Sequence, residues 1–280
     1  MRVLLDTSLT LRGPSGTGVY LTHLAPALEA AGVEVVEAAN GARRAPEGGS
    51  GLRAAVNLAT DAYWMQRELP RRAREEQVDV VHHPQPTLSR GLAAPPAQVV
   101  TVHDLTMVHE PGAVDPRRRR YALLAHRAAA RRAHAVIAVS QATADDVHAR
   151  WGVPVSRIVV ARHGPGQEPE IRRPRAPAAT HLLYVGDDEP RKNLGLLLAG
   201  YALYRAAAGD AALPLVLAGR TEARGQGIRV VARPDAEQLA ALYAHAALLV
   251  HPSLHEGFGL VALEALSSGV PLLAARTAGV

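Results

Sequence analysis

The chain has no cysteine, one lysine and one phenylalanine in 280 residues, and seven tyrosines and two tryptophans complete its aromatic set. The missing cysteine excludes a disulfide framework, a thiolate metal site and a cysteine nucleophile. So few aromatic rings leave little for bases to stack on, which argues against a single-strand nucleic-acid binder. No stretch of about 20 apolar residues is free of charge, so no membrane-spanning helix is expected. The first segment reaches Asp6 too early to read as a secretory leader, and a cytoplasmic protein is the expectation. Acidic residues are not scarce: 26 of them face 31 Lys and Arg, for a net charge of +5 and a pI of about 9.9. That surplus suits an anionic ligand, a membrane face or nucleic acid, and by itself selects none of them.

What is present supports a large core. Hydrophobic residues make up 48% and charged residues 20%, and the length fits two domains of about 100–150 residues. Every basic residue but one is arginine. The exception, Lys192, marks a place where a compact ammonium serves better than a planar guanidinium. The single phenylalanine, Phe258, lies in the run His255-Glu256-Gly257-Phe258-Gly259.

Short apolar runs alternate with helical stretches, the pattern of βαβ units and parallel sheets. Strands are expected over 2–6, 33–37, 78–82, 98–102, 135–139 and 157–160. Helices are expected over 19–31, 52–77 with a break near Pro70, 116–133 and 143–150, the last capped by Ser140. A Pro-, Gly- and Arg-rich linker is placed at 166–180, between a first domain over 1–165 and a second over 181–280. The second domain reads as strands over 182–185, 213–218, 228–231, 247–250 and 270–273, with helices over 194–208, 236–244 and 259–268. It is the shorter of the two and stops on a strand, so its covering helices are expected to be missing.

Four groups of residues carry candidate chemistry. A glycine-rich turn over 13–18 offers backbone amides to an anion at a helix start, without the Gly-x-Gly-x-x-Gly spacing of a dinucleotide site. His103 and Asp104 follow a strand, at the edge where open α/β sheets bind ligands. His103 could donate to a sugar hydroxyl or polarise a leaving group; His82 and His83 read as structural. Arg191 and Lys192 sit where a strand passes into a helix, a site for a pyrophosphate. Glu256 lies between glycines, eight residues before Glu264, and paired carboxylates suit sugar and ribose diols. Arg117 to Arg120, with Arg131 and Arg132, make a basic helix that reads as a solvated face or an anionic-lipid contact.

These residues resemble the retaining glycosyltransferases of family 4, of GT-B fold. The likeness runs through Gly16-Thr17-Gly18, Val100 to Leu105, Ala138-Val139-Ser140, Tyr184-Val185-Gly186, Pro190 to Asn193, and Pro252 to Glu264 as a Glu-x7-Glu motif. The loop 101–111 and the Ser140 segment look most like the mannosyltransferase-type branch. The resemblance implies an α/β protein of two facing Rossmann-like domains with parallel sheets, the second incomplete. It implies a nucleotide-sugar donor, GDP- or UDP-linked, and a glycan, lipid-linked or small-molecule acceptor. No metal or other cofactor, no nucleic acid, and peripheral membrane contact at the inner face complete that expectation. Arg191 and Lys192 would neutralise the leaving diphosphate, Glu264 would hold the ribose, Glu256 the donor sugar, and Gly257, Phe258, Gly259 and Leu260 would lend backbone. His103 would meet the transferred sugar, and Gly16 and Gly18 would lie near phosphate and acceptor.

Three features depart from that family. Asp187 stands where some members have arginine, the stretch 219–227 is short, and a final portion of about 80–100 residues is missing. Two other readings therefore accompany the transferase: an inactive, truncated nucleotide-sugar-binding remnant, and a GT-B sugar-nucleotide epimerase.

Overall fold

The computed structural model describes residues 1–12, 15–42, 51–113, 115–166, 176, 178–277 and 279, with backbone alone at 12, 51–54, 113, 117 and 118. Most of the expected linker, and Gly13 and Pro14 of the first glycine-rich turn, lie outside those residues. The chain divides into two compact units, Met1–Leu105 with Arg120–Arg162, and Thr106–Arg119 with His163–Val280. Among the described residues no helix is long and apolar enough to cross a membrane.

The first unit holds six parallel strands: β1 (Arg2–Asp6), β2 (Glu34–Ala38), β3 (Val80–His83), β4 (Ala97–Val102), β5 (Ala135–Ala138) and β6 (Ile158–Val160). Their order is β2-β1-β3-β4-β5-β6. Successive residues of a strand face opposite ways, and the packing follows that rule. Leu5 and Val35 meet Leu21 and Ala25 of α1 (Gly16–Ala30). Their neighbours Leu4 and Val36 meet Trp64, Leu69 and Ala73 on the other face. The turn that follows α2 (Gly51–Tyr63), which carries Trp64, and α3 (Leu69–Glu75) cover that second face.

Two expectations change here. The first helix begins at Gly16, not at residue 19, because the Ser15 hydroxyl accepts from the Gly18 N–H at 3.1 Å and caps it. Gly16 and Gly18 are therefore first-turn helical residues rather than loop. The helix over 52–77 is not broken at Pro70. It changes winding at a π-helical turn, Trp64–Glu68, just before Pro70, and the Met65 carbonyl, five residues before that proline, accepts from the Ser89 hydroxyl at 2.7 Å. The chain continues through α4 (Thr106–His109), α5 (Pro116–Arg132) and α6 (Gln141–Trp151), and Ser140 caps α6 as expected, accepting from the Thr143 N–H at 3.1 Å.

The second unit orders its five parallel strands β11-β10-β7-β8-β9. They are β7 (His181–Val185), β8 (Leu215–Ala218), β9 (Ile228–Val231), β10 (Ala246–His251) and β11 (Leu272–Ala274). Tyr184, Leu215 and Leu217 pack on α7 (Leu194–Ala208). The alternate residues Leu183, Val216 and Leu249 pack on α8 (Ala236–Ala244) and α9 (Leu260–Ser267). Each unit is thus a Rossmann-like α/β domain with a parallel sheet. Expected and observed bounds coincide for α7, β9 and α8. For α8 the reason is local: Asp235 and Gln238 form a complete capping box.

Glycine tests this packing. Gly219 ends β8 with φ of +151°, and a Cβ there would lie 2.1 Å from the Gly186 carbonyl oxygen. Gly200, inside α7, has open space around it. In urea unfolding, Gly219→Ala should lose about 2 kcal/mol or more, from strain and clash together, whereas Gly200→Ala should gain about 0.5–1 kcal/mol of helix propensity.

Candidate functional site

In an open parallel sheet, ligands bind outside the carboxyl ends of the strands, where the strand order reverses. In the second unit that point lies between β7 and β10. The loop leaving β7 runs through Gly186 to Asn193 into α7, and the loop leaving β10 runs through Pro252 to Gly259 into α9, on the opposite face. The two loops are tied by backbone, the Leu254 N–H donating to the Arg191 carbonyl at 2.8 Å.

Between them sits a compact ionic cluster. Lys192 Nζ lies 2.5 Å from Glu256 Oε1, and Arg191 Nη1 lies 3.2 Å from Glu256 Oε2. His251, at the end of β10, brings Nε2 within 3.3 Å of Oε1. Arg191 also holds Glu189 through Nε at 2.8 Å. The Lys192 and Glu256 side chains are each only 10% exposed. Burial works to raise the pKa of Glu256, but His251, Lys192 and Arg191 prevail and hold it well below the usual carboxylate range. The cluster is therefore one buried anion held by two cations, Lys192 and Arg191, with the His251 ring beside it.

The backbone makes room for it. Gly186 has φ of +147°, and a Cβ there would approach the Lys192 stem at 3.6 Å. Gly259 takes the left-handed conformation, φ 76°, at the N-cap of α9, so Leu260 opens the helix. Glu264 lies one turn further on, where Tyr243 of α8 donates to its Oε2 at 2.8 Å. Burial raises the pKa of Glu264 against that hydrogen bond. Phe258 packs edge-on against His163, with ring centroids 4.9 Å apart, so its ring is engaged within the unit. Asp187 accepts from Arg220, just past the end of β8, through its Nε at 2.7 Å and its backbone N–H at 2.8 Å.

In the first unit the order reverses between β1 and β3, and His103 follows the neighbouring strand β4. Its Nε2 lies 3.0 Å from the Pro84 carbonyl oxygen. A carbonyl only accepts, so Nε2 carries the proton and donates. His103 therefore does not have Nε2–H available for a sugar, the role its sequence position suggested. Burial lowers its pKa, so the ring is held neutral. Tyr20 of α1 stands edge-on to it at 5.1 Å, and Tyr20 and His82 both bond to Thr101 Oγ1, at 3.3 and 2.7 Å. His82 and His83 are buried, with pKa values pushed down to about 4, and act as neutral structural groups. Among the described residues no three His, Asp or Glu side chains assemble as a metal set.

Sequence reading missed several members of these sites. His251 and Tyr243 lie in apolar runs and read as core. Gly279 lies against the Glu256 carbonyl, where a Cβ would come within 2.1 Å, and only its glycine identity hinted at it. Asp6, buried at the end of β1, accepts from the Ser8 N–H at 3.0 Å and from Trp64 Nε1 at 3.3 Å, the latter presented by the π-helical turn.

Two family models match the chain: Glycosyltransferase Family 4 over residues 14–164, and Family 4 Glycosyltransferase in conflict systems over 95–280. The chain is 30% identical over 203 residues to O-antigen chain mannosyltransferase B of Escherichia coli, covering 62% of this chain and 52% of that protein. It thus spans about half the length of that curated relative. Its fold is similar to sucrose-phosphate synthase from Thermosynechococcus elongatus, with a TM-score of 0.69 at 18% identity, covering 100% of this chain and 82% of that one. It is also similar to Anabaena Alr3699/HepE in complex with UDP-glucose, with a TM-score of 0.67 at 17% identity, covering 100% and 81%.

The pKa values of the two glutamates are shifted in opposite directions, and this gives a test. A carboxylate with a depressed folded pKa contributes stability above its unfolded value of about 4.3 and loses it as pH falls. In thermal melts, the advantage of wild type over Glu256→Gln should be full at pH 7 and shrink below about pH 4. For Glu264, disfavoured as an anion, Glu264→Gln should melt no lower than wild type at pH 7.

Proposed function

From the premise that the chain belongs to glycosyltransferase family 4, we propose that it moves a hexose, with mannose as the first candidate, from a nucleotide-diphosphate sugar to a glycan, lipid-linked or small-molecule acceptor with retention of configuration. One observation carries this reading: Arg191 and Lys192 converge on a single anion at the point where the second sheet reverses its order. A diphosphate is the ligand whose charge matches those two cations. The relative that is an O-antigen mannosyltransferase and the neighbour that binds UDP-glucose support it.

In the proposed mechanism, Lys192 and Arg191 pass from the Glu256 carboxylate to the donor diphosphate. They stabilise the charge that grows on it as the bond from C1 to the phosphate oxygen breaks, without a metal ion. The acceptor oxygen bonds to C1 on the face the phosphate leaves, and its proton moves to the departing phosphate oxygen. Glu256, released in part from its cations, accepts hydroxyl hydrogens of the donor sugar, and Glu264 accepts those of the ribose. The Gly257 to Leu260 backbone lines the donor; on the family likeness Gly16 and Gly18 are assigned to phosphate and acceptor, and His103 to contact with the transferred sugar by a group other than its Nε2–H, which Pro84 holds.

A thermal-shift panel with UDP, GDP, ADP and their sugar conjugates tests this. A ligand at 100 times its Kd adds about 2.7 kcal/mol, a shift of several degrees. One nucleotide should produce that shift, and Lys192→Ala should abolish it. A shift without product would favour the nucleotide-sugar-binding module, and an isomerised donor sugar would favour the epimerase.

A further inference from the structure

We propose that His109 is a positioning residue for the donor sugar, acting through the loop that carries Glu256. Its ring stacks on that of His255, with centroids 4.4 Å apart and planes 19° from parallel. His255 is only 9% exposed and immediately precedes Glu256. The role presupposes the donor-site assignment made above, and no residue of that assignment lies in the segment that carries His109.

That segment is a strap. Thr106–Arg119 belongs to the second unit, although in sequence it follows β4 and runs into α5. It closes on itself: Arg119 Nε donates to the Met107 carbonyl at 2.7 Å, and the Glu110 N–H donates to the Thr106 carbonyl at 2.7 Å. Just beyond His109, the turn Pro111–Ala113 lies against Pro190–Lys192, which carries both cations. The strap thus touches each of the two loops that make the site.

The Glu256 loop is tied to the cation turn by the ion pairs and by the Leu254 N–H. A diphosphate that takes up Lys192 and Arg191 weakens those ion pairs, and the Glu256 carboxylate then needs another restraint to stay aimed at a sugar hydroxyl. The stack of His255 on His109 supplies it on one side, and the edge contact of Phe258 with His163 on the other. Neither contact uses the charges that the donor claims. A ring that only filled space would change nucleotide and nucleotide-sugar affinities alike. A restraint on Glu256 changes the second and spares the first, because the diphosphate is held by Lys192 and Arg191.

Calorimetry on the whole chain tests this, with GDP against GDP-mannose, UDP against UDP-glucose and ADP against ADP-glucose. His109→Ala should weaken the sugar conjugate about three- to tenfold, the size of an aromatic pair contact, and leave the bare nucleotide within about twofold. His109→Phe, which keeps a ring to stack, should restore the conjugate. In a Glu256→Gln background, His109→Ala should cause no further loss, since the two act as one unit. Equal loss of nucleotide and conjugate, no rescue by phenylalanine, or additive losses in the double variant would overturn the proposal and leave the donor-site reading standing. Wild type that binds none of these ligands would overturn both.

Discussion

The ion pair between Lys192 and Glu256 is the contact on which the second unit's site depends. It joins two loops that leave adjacent strands for opposite faces of the sheet, and it does so where both side chains are largely removed from water. A buried carboxylate without partners would have to take up a proton. Here Lys192, Arg191 and His251 surround it and keep it ionised. The same arrangement holds two cations in register for a larger anion, which is what a diphosphate-binding site requires.

The glycines around that pair share its logic. Gly186, Gly219 and Gly279 are places where one loop's backbone runs against another, and at Gly219 and Gly279 a Cβ would come within 2.1 Å of a neighbouring carbonyl. They allow the segments that follow β7, β8, β10 and β11 to crowd at the carboxyl edge of one sheet. Charge is disposed differently on α5, where arginines flank exposed apolar groups instead of a buried carboxylate.

Much of the fold was legible in the residue pattern. Parallel strands buried on both faces read as short apolar runs, and caps such as Ser140 and the Asp235–Gln238 box locate helix starts by chemistry confined to four residues. The π-helical turn at Trp64–Glu68 was not legible: Pro70 pointed to a break, and the helix changes winding there instead. The start of α1 was misplaced for the opposite reason: glycines suggested a loop, and the Ser15 cap outweighed them.

Sequence by itself determined that the protein is α/β, that its chemistry excludes thiols, and that Arg191, Lys192, Glu256 and Glu264 stand beside strand ends. Those conclusions rest on composition, periodicity and short spacing, which act within a few residues. Tertiary structure alone decided that Glu256 holds Lys192, that Tyr243 holds Glu264, and that the Pro84 carbonyl takes the His103 proton. Each of those contacts joins residues 19 to 64 positions apart. The strand order that brings them together comes from helices packing on both faces of a sheet, and no local pattern encodes it.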